Sequence, residues 1–285
     1  MKAVAASNIR DYEHAVAALR GYYETVERGL EACFRDPDLP ATYNATSTQP
    51  PPPCFIVFGT DQGLVGRFND TIADFTLTSL TSNPRPSSSA KPQTFSHSKK
   101  PFVSIKPKVW VVGERLYERL YETEWPPQTH FEVPNSVKSI TPMIGQILLD
   151  IESQQPLTAF SEVHLFYNRP GNGSGYSPVT QRLLPLDQHW RAQLAERTWP
   201  SNNLPELLGD KTATLGALIR EYLFVSLFRA SAESLSSENA SRLAAMQRAD
   251  RNIEALLATL QRNHQRLRQA NIDAEMFDVI AGATI

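Results

Sequence analysis

Gly59-Thr60-Asp61-Gln62-Gly63-Leu64-Val65-Gly66 is the stretch of this sequence most suggestive of chemistry. It follows the apolar run Phe55 to Phe58 and precedes a helical pattern that opens near Asn69. Glycines between a strand and a helix can bring backbone N–H groups close to a phosphate. The spacing argues against that use: it is neither G-x-G-x-x-G nor G-x-x-x-x-G-K-[ST], and no lysine is placed to meet a phosphate. The stretch reads instead as a structural turn in which Asp61 bonds local N–H groups. Hydrolysis fares no better, because there is no G-x-S-x-G elbow and no H-E-x-x-H. His14, His97, His130, His164, His189 and His264 fall mostly in loops or on polar helix faces, without ligand spacing. Glu118 and Glu122 follow helical spacing and read as a solvated face rather than an acid–base pair. The expectation is no catalytic residue, no cofactor-binding residue and no metal site.

Composition sets the outer bounds. The chain has 285 residues, 41% hydrophobic and 20% charged, with a formal net charge of -2, which suits a soluble protein of one or two domains. That balance suggests neither nucleic acid nor an acidic membrane surface as a partner. No run approaches 18 apolar residues, and Met1 opens an amphipathic pattern rather than a secretory signal. The expected setting is a reducing compartment, with Cys33 and Cys54 as inert thiols rather than a disulfide.

The elements that would position any function are dominated by one stretch, Leu218 to Ala281. It contains no proline and no glycine, so nothing in it forces a helix to break. Apolar or small residues recur every seven at Leu218, Val225, Ala232, Met246, Ile253, Leu260, Leu267 and Ala274. A companion row runs through Phe228, Leu235, Ala249, Leu256, Ala270 and Phe277. This is a coiled-coil seam interrupted by Asn239 and Asn263. Roughly 65 residues at 1.5 Å each make a rod of about 95 Å, whereas a domain of about 150 residues is about 40 Å across, so the rod must overhang its own domain. Arg262, His264, Arg266 and Arg268 precede a final turn carrying Met276, Phe277, Val279 and Ile280. Nothing that follows could cover those side chains, which points to a partner protein.

Residues 1–35 carry a second heptad pattern, Ala5, Tyr12, Leu19, Val26 with Ile9, Val16, Tyr23, Leu30. Two such helices at opposite ends of a chain can pair antiparallel, with everything between them forming one excursion. Gly21 and Gly29 weaken the first, each by about 1 kcal/mol relative to Ala where exposed. Residues 36–53 form a linker ending in Pro50-Pro51-Pro52-Pro53. Residues 54–190 alternate strand and helix, predicting a small α/β layer with an at least partly parallel sheet. Within it, 83–107 is rich in Ser, Pro and Lys and reads as a disordered insertion. Residues 191–210, punctuated by Pro200 and Pro205, connect back to the C-terminal helix over 211–285.

These residues resemble one family. The tract from Glu238 to Ala283 is similar to the end of the F-type ATP synthase gamma subunit, through Ser237-Glu238, Arg242, Met246, Asn252, Asn263, Arg268-Gln269-Ala270, Ile272, Glu275, Ile280 and Gly282-Ala283. MKAVAAS at the start, TDQGLVGRFN after the first strand and VTQRLLPL before the return to the rod agree with it. The resemblance implies an α/β fold in which N- and C-terminal helices form an antiparallel coiled coil with a Rossmann-like domain inserted between them. It implies a non-catalytic central stalk standing in a hexamer of alpha and beta subunits, with its base on the epsilon subunit and the membrane c-ring. Ion flow through the ring would turn the stalk and drive the beta subunits through different nucleotide affinities, on the cytoplasmic face of a bacterial membrane. Arg242, Arg268, Gln269 and Glu275 match positions that contact beta-subunit loops, and Asp273 stands where the family commonly has threonine. Leu243 and Arg67 replace a common methionine and a usual glycine. The insertion near Ser87 has no cysteine, so the thiol switch of chloroplast relatives is not supported. Family members commonly begin upstream of the MKAVAAS match, so an N-terminal helix extending before Met1 is also expected. The alternative is a coiled-coil scaffold descended from the stalk that no longer couples rotation.

The reading of residues 59–66 as a turn has a direct check. Calorimetric titration of the purified chain with ATP is expected to show weak binding or none, and micromolar affinity would overturn it.

Overall fold

A computed structural model describes residues 2–36, 52–82, 107–154, 162–171, 175–184, 186, 188–199, 203 and 205–282. Most of the expected linker (37–51) and of the expected insertion (83–106) lies outside the described residues. The chain forms α1 (Lys2–Arg35), β1 (Cys54–Phe58), α2 (Phe68–Ser82), β2 (Lys108–Val112), α3 (Glu114–Tyr121), β3 (Thr129–Phe131) and α4 (Val137–Gln154). It continues through β4 (Val163–Pro170), β5 (Tyr176–Leu184), α5 (Gln188–Glu196) and α6 (Lys211–Gly282).

The sheet has strand order β3-β2-β1-β4-β5. Four strands are parallel, with Cys54 opposite Lys108 and Val163, while β5 returns antiparallel to β4 as a hairpin. β1 is apolar throughout because both its faces are covered. Cys54, Ile56 and Phe58 face a core shared with α1, α4 and α6, whereas Phe55 and Val57 face a second core under α2 and α3. Trp110 and Val112 join the first core, Val109 and Val111 the second, as the two-residue period of a strand requires.

α1 and α6 run antiparallel. Lys2 pairs with Asp250, the Tyr22 hydroxyl donates to Glu221 at 2.5 Å, and Lys211 Nζ lies 2.8 Å from Asp36. Ala5, Tyr12, Val26 and Leu30 are buried in this seam. The two-helix picture is incomplete, however, because α6 is buried on nearly every side from Tyr222 to Asn239. Ala230, Ser231, Ala232, Ser234, Ser236 and Ser237 are small enough to let the sheet and α1 approach the helix backbone together. Ser237 Oγ donates to the Asn168 carbonyl at 2.9 Å, and Ser241 Oγ donates to the Val65 carbonyl at 2.6 Å.

Two elements went unread in the sequence. β3 is only three residues long and follows no apolar run. α5 lies in the region expected as connector, where Trp190 packs edge-on against Phe34 and stacks obliquely on Tyr222, and Arg191 lies 4.8 Å over the Phe34 ring. Aromatic burial against α1, not helix periodicity, fixes it. His130 and His164 sit on strands rather than in loops.

Backbone geometry makes separable demands at three glycines. Gly113 has φ +111°, and a Cβ there would lie 2.6 Å from the Thr60 nitrogen. Gly113→Ala is expected to destabilise the chain by about 2–4 kcal/mol in urea unfolding. A Cβ at Gly21 meets nothing within 4 Å, so Gly21→Ala should stabilise by about 1 kcal/mol. At Gly29 the new Cβ would press on Leu218 Cδ2 at 2.7 Å, so Gly29→Ala should give less than Gly21→Ala.

Candidate functional site

The loop after β1 is tied into the fold by its carboxylate. Asp61 Oδ1 accepts from the Glu114 N–H at 2.9 Å, and Oδ2 accepts from the Val133 N–H at 2.9 Å. Its partners are therefore 53 and 72 residues distant, not the local N–H groups expected of a turn. Thr60 N–H donates to Asn69 Oδ1 at 3.1 Å, and Asn69 Nδ2 donates to Thr60 Oγ1 at 2.9 Å. Together these bonds lace the C-terminal ends of β1, β2 and β3. The amide that opens α3 is a place where a phosphate could bind, but here it already serves a carboxylate, whose charge would repel one.

Beside this loop lies a cleft of about 380 Å³ between α1, residues 61–64, residues 133–135 and α6. Its rim carries Leu64, 71% exposed and held at φ 62°, a left-handed backbone that a branched apolar residue rarely adopts. Its floor holds Glu238, only 5% exposed, whose Oε1 accepts from Arg242 Nη2 at 2.5 Å. Oε2 is buried without a hydrogen-bond partner among the described residues. Burial pushes the Glu238 carboxyl up to about 7; Arg242 opposes the rise and Asp61 adds to it. Tyr12 faces the same cleft, and burial and then Glu238 push its hydroxyl upward.

The five residues expected to contact a partner do not form one constellation. The Arg242 side chain is 17% exposed and is committed to Glu238 rather than offered to solvent. Gln269 lies roughly 27 residues further along α6, about 40 Å at 1.5 Å per residue. Arg268, Gln269, Asp273 and Glu275 are all exposed, on a part of α6 from Arg251 to Ala281 that is exposed at every residue. Gln269 and Asp273 are four apart and share a stripe, with Arg262 and Arg266 beside them lining a shallow groove. Arg268 and Glu275, seven apart, share another stripe about a third of a turn round the helix. The same segment exposes Ile253, Leu256, Leu257, Leu260, Leu267, Ile272, Met276, Phe277, Val279 and Ile280.

Sequence reasoning missed the Glu238 cleft. The available signal was Arg242 itself, which falls seven residues after Leu235 and seven before Ala249 in the companion row, where an apolar side chain is expected. Among the described residues, no group of three or more His, Cys, Asp or Glu side chains is arranged to hold a metal ion. No helix among them is long and apolar enough to cross a membrane.

Comparison with known proteins is consistent along the whole chain. A profile of the family described as ATP synthase matches residues 1–284. The sequence is 28% identical to the ATP synthase gamma chain of Granulibacter bethesdensis, over 99% of this chain and 91% of that protein. It is 24% identical to the ATP synthase gamma chain of Geobacter metallireducens, over 99% of this chain and 90% of that protein. Among solved structures, the fold is similar to a chain of the central stalk/c-ring of Tetrahymena thermophila mitochondrial ATP synthase, with TM-score 0.59, 21% identity, and coverage of 88% of this chain and 97% of that one. It is also similar to a chain of the OSCP/F1/c-ring structure of Euglena gracilis mitochondrial ATP synthase, with TM-score 0.54, 16% identity, and coverage of 98% and 94%.

The buried carboxyl makes stability depend on pH in a direction opposite to that of an ordinary paired carboxylate. From about pH 4.5, where an unfolded glutamate loses its proton, up to about 7, the folded chain keeps the proton that the unfolded chain has released. The unfolded state binds fewer protons across that window, so stability falls as pH rises through it. The loss is on the order of 3 kcal/mol. Urea unfolding at pH 5 and pH 8 should show a smaller difference for Glu238→Gln than for the parent; equal differences would place the titrating group elsewhere.

Proposed function

The chain belongs to the ATP synthase gamma-chain family, and from that membership we propose that it is the central rotary stalk of an F-type ATP synthase. It couples ion flow through a membrane ring to ATP synthesis or hydrolysis in a hexamer of alpha and beta subunits. The observation that carries this reading is the bare upper part of α6. Among the described residues this length of α6 exposes ten large apolar side chains on several faces, and they gain burial only if further protein surrounds the helix. Each such side chain left in water forgoes about 1.5–3 kcal/mol. The basic belt Arg262, His264, Arg266 and Arg268 lies in the same segment, on more than one face of the helix. A collar of subunits meets both conditions, whereas one flat partner surface would leave half of the helix wet.

In this reading the nucleotides bind the hexamer, and this chain supplies shape and contacts rather than a catalytic group. Its α/β domain stands at the base against the epsilon subunit and the c-ring, which hold it to the membrane as a peripheral component. Arg268 and Glu275 on one stripe, and Gln269 and Asp273 on the other, then meet different subunits at any one angle. Gln both donates and accepts, and Arg offers a planar fork to a carboxylate. The stalk reading requires alpha, beta and c-type subunits to co-purify with the tagged chain; their absence would favour a scaffold that no longer couples rotation.

Gln269→Ala and Arg268→Ala should each lower ATP-driven rotation in the assembled complex while leaving assembly and helicity unchanged. Contacts worth about 1–3 kcal/mol correspond to roughly 5- to 150-fold in rate. Full activity in both variants would count against a catch at these positions.

A further inference from the structure

The cleft between α1 and α6 holds Arg242, which the family resemblance implies meets a beta-subunit loop, in a charge arrangement supplied by the chain itself. Among the described residues Glu238 is held by one point, Arg242 Nη2 on Oε1, and Oε2 has no donor. Asp61 faces the same space with both oxygens accepting from backbone N–H groups, and its carboxylate acts on Glu238. α1 contributes Tyr12, with Asp11 close enough to act on it, and Val133, Pro134 and Asn135 bring no charge. An ionised Glu238 therefore places two carboxylates against one guanidinium, and a protonated Glu238 leaves one against one. Arg242 keeps 17% of its side chain in solvent, which sets it at the edge of the cleft.

We propose that Glu238 is a positioning residue for Arg242. Ionised, it neutralises the guanidinium and holds it in the cleft; protonated from solvent, it releases the guanidinium to a carboxylate of a neighbouring subunit. This rests on the reading of Arg242 as a stalk contact in the assembled complex. The burial that raises the Glu238 carboxyl to about 7 places the exchange near neutral pH. Release strengthens as pH falls through that value, because the carboxylate bonded to Arg242 then loses its charge. Glu238 itself touches no partner and acts only through Arg242.

The test uses assembled complexes carrying the parent chain, Glu238→Gln, Glu238→Ala or Arg242→Ala, with ATP-driven rotation measured from pH 6 to 8.5. Activities are taken as ratios to Arg242→Ala at each pH, which removes the titration of the hexamer itself. The parent ratio should fall from about fivefold at low pH to about one at high pH, a step at the lower end of known coupling factors. With Glu238→Gln, which has no carboxyl to ionise, the ratio should stay at about fivefold throughout. Glu238→Ala lacks the carboxyl as well and repeats the test should the first variant assemble poorly. A Glu238→Gln ratio that follows the parent's pH step overturns the latch and leaves Arg242 as a contact. A parent ratio of one at every pH overturns Arg242 as a contact and the latch with it, and failure of the parent chain to assemble with alpha and beta subunits overturns the stalk reading itself.

Discussion

Everything in this fold depends on how closely a helix backbone can approach a sheet. Between Ala230 and Ser241, α6 carries one large apolar side chain, Leu235, among alanines and serines, and so it sinks between α1 and the strands rather than resting on them. Two of the serines also bond across the contact, Ser237 donating to the Asn168 carbonyl and Ser241 to the Val65 carbonyl. Alanine and serine add little bulk, so the first turn of the loop after β1 and the α1 helix can both reach the same stretch of α6. The Glu238 cleft exists because these three elements converge there without filling the space.

Long-period features were legible in the sequence. A tract of about 65 residues without proline or glycine, with two apolar rows, leaves few alternatives to one helix. The strand, glycine, helix format at Phe55 and Val109 likewise leads to a parallel sheet, because crossover connections demand it. Features set by distant chain segments were not legible. Asp61 looks like a turn residue in its own window, and its true partners, the Glu114 and Val133 amides, are visible only once β2 and β3 lie beside β1. Heptad reasoning assumes two helices, and the sheet and loops that cover Glu238 have no period to read. Arg242 broke the apolar row, and that break marked the cleft.

The contact residues drawn from family resemblance acquire different characters once placed. Arg242 belongs to the root of α6, where side chains are packed and each charge has a named counterpart. Arg268, Gln269, Asp273 and Glu275 belong to the bare length, where no other element covers them among the described residues. Specificity at the root is thus conditioned by the chain's own core, whereas specificity along the bare length is left to whatever encloses it.

The same division gives the helix two mechanical regimes. Below about Asp250, twisting α6 would have to shear Ser237 from Asn168, Ser241 from Val65 and the Glu233 carboxylate from Arg169, so the root behaves as part of a rigid block. Above it, among the described residues, only the hydrogen bonds of one helix resist torsion. A load applied to the upper length would wind that segment before it disturbed the α/β domain, making the exposed helix a spring in series with a stiff base.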